Sequence, residues 1–424
     1  MSDPRFEIRR DAVLGEEVWL ARTSRGLPLR LVPTTRFRET AAVVTFAYGS
    51  TDLGFIRADR GAHESPEGVA HYLEHKLFED EELGVFDRFA QRGAQVNAMT
   101  GFTRTTYYFT ATRDVDANLK DLLRLVAKPH ITPENVEKER GIIAQEIRMY
   151  EDSPDYRAFF DLLRCLYTEH PVRHPVGGTV ESIAAITHAE LRQCFGAFYR
   201  TGNAAVAVAG PIEPAAVLAM VEACELPTGN APPSLCPADL GPPATARTAR
   251  RMQVARPRVM LGSKDGEPLV DGEARIRRQF LTRILLEHLL SPSSTRREDL
   301  AQRGLVDDSV TTSYMAERNF AFVVVGGESE DPAALEATLR EAVCTPLSMS
   351  EADLERARRR ILGQYVRSFE SVRGLAFAHA EHQLEGIAPF GLRERLASIT
   401  RQDVEARQAE LFAPERLAVA VVAP

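Results

Sequence analysis

Apolar residues recur along this chain with two different periods, and the changes of period mark its elements. Residues 41–48 (AAVVTFAY) and 105–110 (TTYYFT) are dense in β-branched and aromatic side chains, which predicts strands. Between them, residues 68–89 follow a helical spacing, and 115–127 (VDANLKDLLRLVA) repeats apolar residues every three or four positions, as an amphipathic helix does. Thr132-Pro133-Glu134 then offers an N-cap, a proline at the first helical position and an early acid, predicting a helix through about Tyr150. The plan returns later: 321–327 (AFVVVGG) as strand, 331–344 as helix and 350–369 as a long helix.

Short identities accompany this recurrence. Leu73-Glu74-His75 returns as Leu286-Glu287-His288 with an offset of 213, and Ala90-Gln91-Arg92-Gly93 as Ala301-Gln302-Arg303-Gly304 with 211. Ile142-Ile143-Ala144-Gln145 answers to Ile361-Leu362-Gly363-Gln364 with 219. Three matches in one order at a nearly constant offset indicate a duplication. Residues 226–246, rich in proline, glycine and small side chains, sustain neither helix nor central strand and read as a linker. The expected domains are therefore 1–225 and 247–424, homologous and α+β, each a mainly antiparallel sheet with helices on one face.

Composition adds exclusions. At 44% hydrophobic and 26% charged residues over 424 positions, the chain has the make-up of an ordinary globular protein. No run approaches the ~18 apolar residues of a membrane span, and the first residues lack the apolar core of a signal peptide. The five dispersed cysteines form no C-x-x-C pair, which fits a reducing cytoplasm and argues against a thiolate metal site. A net charge of −8 without a long basic run disfavours nucleic acid and anionic membranes as partners.

The chemistry concentrates at His71-Tyr72-Leu73-Glu74-His75. On a helix, His71 and His75 project four residues apart from one face and are placed to share an ion, while Glu74 sits on its flank, placed to reach a water without ligating. A catalytic zinc takes three protein ligands and leaves a position open, so one more donor must come from elsewhere. The helix beginning near Thr132 carries Glu139 and Glu146, seven apart and so on one face; spacing alone does not order the two. The acidic run Glu79, Asp80, Glu81 and Glu82 reads as a solvated face. In the second copy Ile284 replaces His71 and Tyr365 replaces Glu146, so that half keeps the scaffold without the metal set.

These features, GVAHYLEHKLFE at 68–79, QVNAMT at 95–100, TTYYF at 105–109, EKERGIIAQEIRMY at 137–150 and HPVGGT at 174–179, resemble the pitrilysin family of inverzincin metallopeptidases. That family includes insulin-degrading enzyme and mitochondrial processing peptidase, and this chain looks like its small bacterial members. The resemblance implies a chamber of two halves and one Zn2+ per chain held by His71, His75 and Glu146. It implies Glu74 as the base activating water and Glu139 as a supporting helper in catalysis. It also implies Asn97, Ala98 and Thr100 on an edge strand that pairs with substrate main chain.

One departure stands out. Where the family carries an arginine and a tyrosine that hold substrate, residues 299–310 place Ala301 and Asp307 or Asp308; Arg303 and Tyr314 are the candidates to substitute, though neither has the matching position. Since some members work as subunit pairs, the expectation is a dimer, with a partner paralogue lacking zinc ligands. The expected function is a cytoplasmic zinc metallopeptidase acting on peptides or small unfolded proteins. The alternative is a peptide-binding or assembly subunit with little proteolysis of its own. A metal buffer would need surplus thiolates or histidines that the sequence lacks.

Overall fold

The computed structural model describes residues 3–11, 15–57, 59, 61–79, 84–266 and 269–424. Asp80, Glu81 and Glu82 of the acidic run lie outside them.

Two sheets organise the chain. The first has seven strands in the spatial order Glu7–Asp11, Glu16–Arg22, Pro28–Pro33, Ala204–Gly210, Thr40–Phe46, Thr105–Ala111 and Gln95–Thr100. The second has five, in the order Arg247–Arg251, Leu417–Ala423, Arg258–Lys264, Ala321–Glu328 and Thr311–Ala316. Each contains one parallel pair, Pro28–Pro33 with Ala204–Gly210 and Arg247–Arg251 with Leu417–Ala423, and is otherwise antiparallel. The last five strands of the first sheet and all five of the second follow the same order and directions, so the duplication extends to topology.

Alternation decides which side of the first sheet each residue covers. Leu29, Leu31, Ala42, Val44, Val206 and Val208 point into a core shared with helices including Val115–Ala127 and Val69–Leu77. Each fully buried Val or Leu of this kind contributes about 1.5–3 kcal/mol. Their neighbours Val32, Ala41, Val43, Ala207 and Ala209 point the other way and are covered by Val372–Leu384 through Val372, Leu375, Ala376 and Ala380. Helices therefore cover both faces of this sheet, where the sequence led to expect one, because alternating apolar residues leave neither face polar. Small side chains on both partners allow the close approach.

The compact units differ from the continuous stretches 1–225 and 247–424. One comprises residues 1–147, 175–236 and 365–390; the other comprises 148–174, 237–364 and 391–424. The helix Pro154–Leu166, from the first half of the chain, lies on Arg258–Lys264 and Leu417–Ala423 of the second sheet. Gly262 makes room for it, since a Cβ there would sit 2.8 Å from a methyl of Leu162. Each half thus lends one helix to the other half's sheet.

Helix limits follow local chemistry. Val115–Ala127 and Pro332–Cys344 form as the spacing predicts, the latter capped by Asp331. The 68–89 pattern instead yields two helices, Val69–Leu77 and Val85–Gln91, the second beginning after Gly84. The long helix runs Pro133–Glu151.

Candidate metal centre

The helix Val69–Leu77 is seated by glycines. Gly68 is left-handed (φ 87°), and a Cβ there would run into the Gly177 carbonyl. Gly178 (φ 74°) backs onto the Glu67 carbonyl, to which Ser182 Oγ also donates at 2.9 Å. A reciprocal cap between Thr179 and Ser182 fixes the loop just beyond. The HPVGGT segment, quoted above only as part of the resemblance, thus acts as the seat on which the two-histidine helix starts. Its far end is tied to the first turns of the long helix. Tyr72 donates its hydroxyl to the Val136 carbonyl, and the buried Lys76 donates to the Asn135 carbonyl at 2.9 Å while pairing with Glu79 at 2.7 Å.

These ties set the two helices in register. His71 Nε2 lies 3.7 Å and His75 Nε2 3.4 Å from Glu146 Oε2, with the two rings 4.6 Å apart at 67°. One ligand atom from each of the three residues falls within 4.8 Å of the others, and among the described residues no other cluster does so. Tetrahedral zinc with bonds of about 2.0–2.2 Å places its ligand atoms about 3.3–3.6 Å apart, a spacing that both imidazole–carboxylate separations approach, so two imidazoles and a carboxylate here suit one such ion. Glu139 lies one layer out, its Oε1 2.9 Å from His75 Nδ1, the position from which a carboxylate fixes the tautomer of a ligating imidazole. His71 Nδ1 is buried and has no partner among the described residues. The two histidines are therefore supported unequally.

Electrostatics separates them further. Burial, together with the neighbouring His75, pushes His71 down to about 4 and keeps it neutral, the form that ligates. Burial opposes charge on His75 too, but hydrogen bonds with Glu139 and Glu146 outweigh it and lift His75 to about 9. The same contacts hold both glutamates below the usual carboxylate range. Glu74, almost wholly buried, is raised by desolvation despite a hydrogen bond from Thr100.

The strand Gln95–Thr100 is the edge of its sheet. Gln95, Asn97 and Met99 are exposed, while Val96, Ala98 and Thr100 are half-buried, facing the other side. Asn97 Oδ1 accepts from the main-chain N–H of Ala98 at 2.8 Å. Thr100, read from the sequence only as a substrate contact, donates its hydroxyl to Glu74 Oε2. The period-two pattern of QVNAMT puts Ala98 and Thr100 on one face but does not say what that face meets.

Two family models match. "Insulinase (Peptidase family M16)" covers residues 60–180 and "Peptidase M16 inactive domain" covers 185–361. The chain is 33% identical over 417 residues to the Bacillus subtilis protein named uncharacterized zinc protease YmfH, covering 97% of each. It superposes with a TM-score of 0.91 and 34% identity on an M16-like peptidase from Alicyclobacillus acidocaldarius, covering 100% of this chain and 99% of that one. A protease from Helicobacter pylori shares the fold at a TM-score of 0.80 and 18% identity, covering 96% of this chain and 99% of that one. This chain belongs to the insulinase family, peptidase family M16, with its two-domain fold.

Proposed function

We propose that this protein is a zinc-dependent metallopeptidase that hydrolyses peptide bonds in peptides or small unfolded proteins. The observation that carries the reading is the convergence of His71, His75 and Glu146 within 4.8 Å, with the buried Glu74 on the same helix as the histidines. Zinc, when held by these three side chains, supplies Lewis acidity at the scissile carbonyl and makes water a better nucleophile near neutral pH. Glu74 takes a proton from the attacking water and passes it to the leaving amine. Glu139 holds His75 in its ligating orientation. Asn97, Ala98 and Thr100 belong to the edge strand along which substrate main chain is laid, with affinity from ladder hydrogen bonds and selection left to side-chain pockets.

The reading includes a partner. Among residues 299–310, Asp307 is held by Arg256 at 2.9 Å, and Arg303 pairs with Asp299 at 3.1 Å. The Tyr314 hydroxyl is bound to the buried Asp265. Each is thus engaged within this chain, and the reading assigns the substrate-holding arginine and tyrosine to a second subunit, a paralogue without zinc ligands. The five cysteines are free, and the reading places this work in the cytoplasm, where thiols stay reduced.

The test is cleavage of a quenched peptide library by the purified chain, alone and with the candidate paralogue, before and after chelation, with metal analysis of the same samples. Glu74→Gln is expected to keep zinc and lose hydrolysis, and zinc added after chelation to restore the wild type. Near-normal turnover by Glu74→Gln would remove the mechanism. Peptide binding without cleavage, with every partner tried, would favour the non-proteolytic subunit instead.

A further inference from the structure

Thr100 ends its strand where the chain turns back, paired across the ladder with Thr105. The turn is firmly held. Gly101 N–H donates to the Arg104 carbonyl at 2.8 Å, Ser50 N–H to the Gly101 carbonyl at 3.0 Å and Thr51 N–H to the Phe102 carbonyl at 2.9 Å. Gly49 lies so close that a Cβ on it would stand 2.5 Å from the backbone of Phe102 and Thr103. Thr105 Oγ1 donates to the Tyr48 carbonyl at 2.9 Å and lies 3.5 Å from Thr100 Oγ1. The Thr100 hydroxyl is therefore fixed by a backbone frame and not by its own rotamer alone. It donates to Glu74 Oε2.

A glutamate reaches its carboxylate through three torsions, and a base that must meet water in one geometry has to be fixed from outside. We infer that Thr100 is the positioning residue of the base: its hydroxyl holds Oε2 of Glu74, leaving Oε1 as the oxygen that takes the proton. Because Thr100 also belongs to the edge strand, engagement of substrate main chain and alignment of the base share one rigid hairpin. Phe102 and Thr103, at the tip of that hairpin, are buried, so the frame does not depend on a mobile turn. This assignment rests on the peptidase reading above.

Thr100→Val removes the hydroxyl and keeps shape and strand preference, whereas Thr100→Ser keeps the hydroxyl. In the preparation that cleaves peptides, Thr100→Val is expected to retain its zinc, to leave KM within about threefold and to lower kcat about 10–100-fold, the usual cost of losing an outer partner of a reacting group. Thr100→Ser is expected within about threefold of wild type on both constants. Thr100→Ala, compared with Thr100→Ser at equal melting temperature, supplies the same contrast if valine impairs folding. An unchanged kcat in Thr100→Val or Thr100→Ala overturns the assignment, and so does a loss confined to KM, which would make Thr100 a substrate contact. Glu74→Gln run alongside separates the two claims. If it is inactive while the Thr100 variants turn over normally, only the role of Thr100 fails; if it is active, the base assignment fails and takes this inference with it.

Discussion

The two units use one scaffold with different side chains at the matching place. In the first, the helix Val69–Leu77 and the long helix Pro133–Glu151 meet through His71–Glu146 and His75–Glu139. In the second, the helix Gly272–Leu290 meets Glu351–Ser368 through Arg283 donating to Gln364 at 2.7 Å and Glu287 paired with Arg360 at 2.9 Å. Ile284 is wholly buried where the first unit has His71. A cavity of about 510 Å³ remains there, lined by Arg283, Glu287, Gln364 and the edge strand Thr311–Ala316. The helix pair and the edge strand thus recur in both units, and a handful of side chains on a shared topology separates the candidate metal cluster from a polar cavity.

The largest expected effect breaks this comparison most directly. His75→Ala should lose zinc and hydrolysis together, with an affinity loss beyond the about 10–100-fold that an outer partner costs. His288→Ala, at the equivalent place in the second unit, should change neither metal content nor turnover. Zinc content of the two purified variants, read by elemental analysis, checks both; parallel losses would mean that the second unit also serves the metal.

The next effect sharpens the comparison one layer out. Glu139→Gln removes the carboxylate that orients His75 and should weaken zinc binding about 10–100-fold in a chelator competition. Arg360→Gln, which breaks the Glu287 pair of the second unit, should leave the same titration unmoved.

Much of this was legible from the sequence because the decisive patterns are local. An i, i+4 histidine pair and two glutamates two turns apart define faces whatever surrounds them, and the 115–127 helix follows from its period alone. The pattern across 68–89 misled because apolar residues stay dense while the helical phase breaks: the buried Val85 and Phe89 of the second helix do not continue the face of Val69 and Leu73. The exchanged helices were not legible either. Pro154–Leu166 announces a face to be buried, whereas Val372–Leu384 has apolar residues nearly all round, and in neither does the pattern say which sheet the helix will cover. The contact from Thr100 to Glu74 pairs residues 26 apart in sequence and depends on how strand meets helix.

The covering helices offer a third test. On the second sheet, Pro154–Leu166 carries Asp161, bound twice by Arg250. On the first, Val372–Leu384 buries His379, neither of whose ring nitrogens has a partner among the described residues. Burial, with Arg30 and His382 nearby, holds His379 down at about 3. A histidine depressed in the folded state contributes stability above its unfolded pKa of about 6.5, and loses it as pH falls below that value. At pH 5 the loss is about 2 kcal/mol. Hydrogen exchange should therefore show residues 372–384 losing protection between pH 7 and 5 more than 154–166 do. His379→Leu should flatten the difference; equal losses in both helices of the wild type would remove His379 as the cause.

The smallest effect concerns the cavity of the second unit. Arg283 is partly exposed, burial lowers its pKa, and its hydrogen bond reaches a neutral amide, so the net contribution should be under about 1 kcal/mol. Arg283→Leu should accordingly shift the urea midpoint little and leave zinc content and KM unchanged. Substantial destabilisation would show that the Arg283–Gln364 contact does in the second unit what the metal ligands do in the first, tying helix to helix. Near-neutrality would mean that apolar packing around Ile284, Leu285 and Leu289, all buried, suffices to hold the scaffold once the ligands are gone. In that case the metal set of the first unit is an addition to a frame that stands without it, and the ligands are free to be judged by chemistry alone.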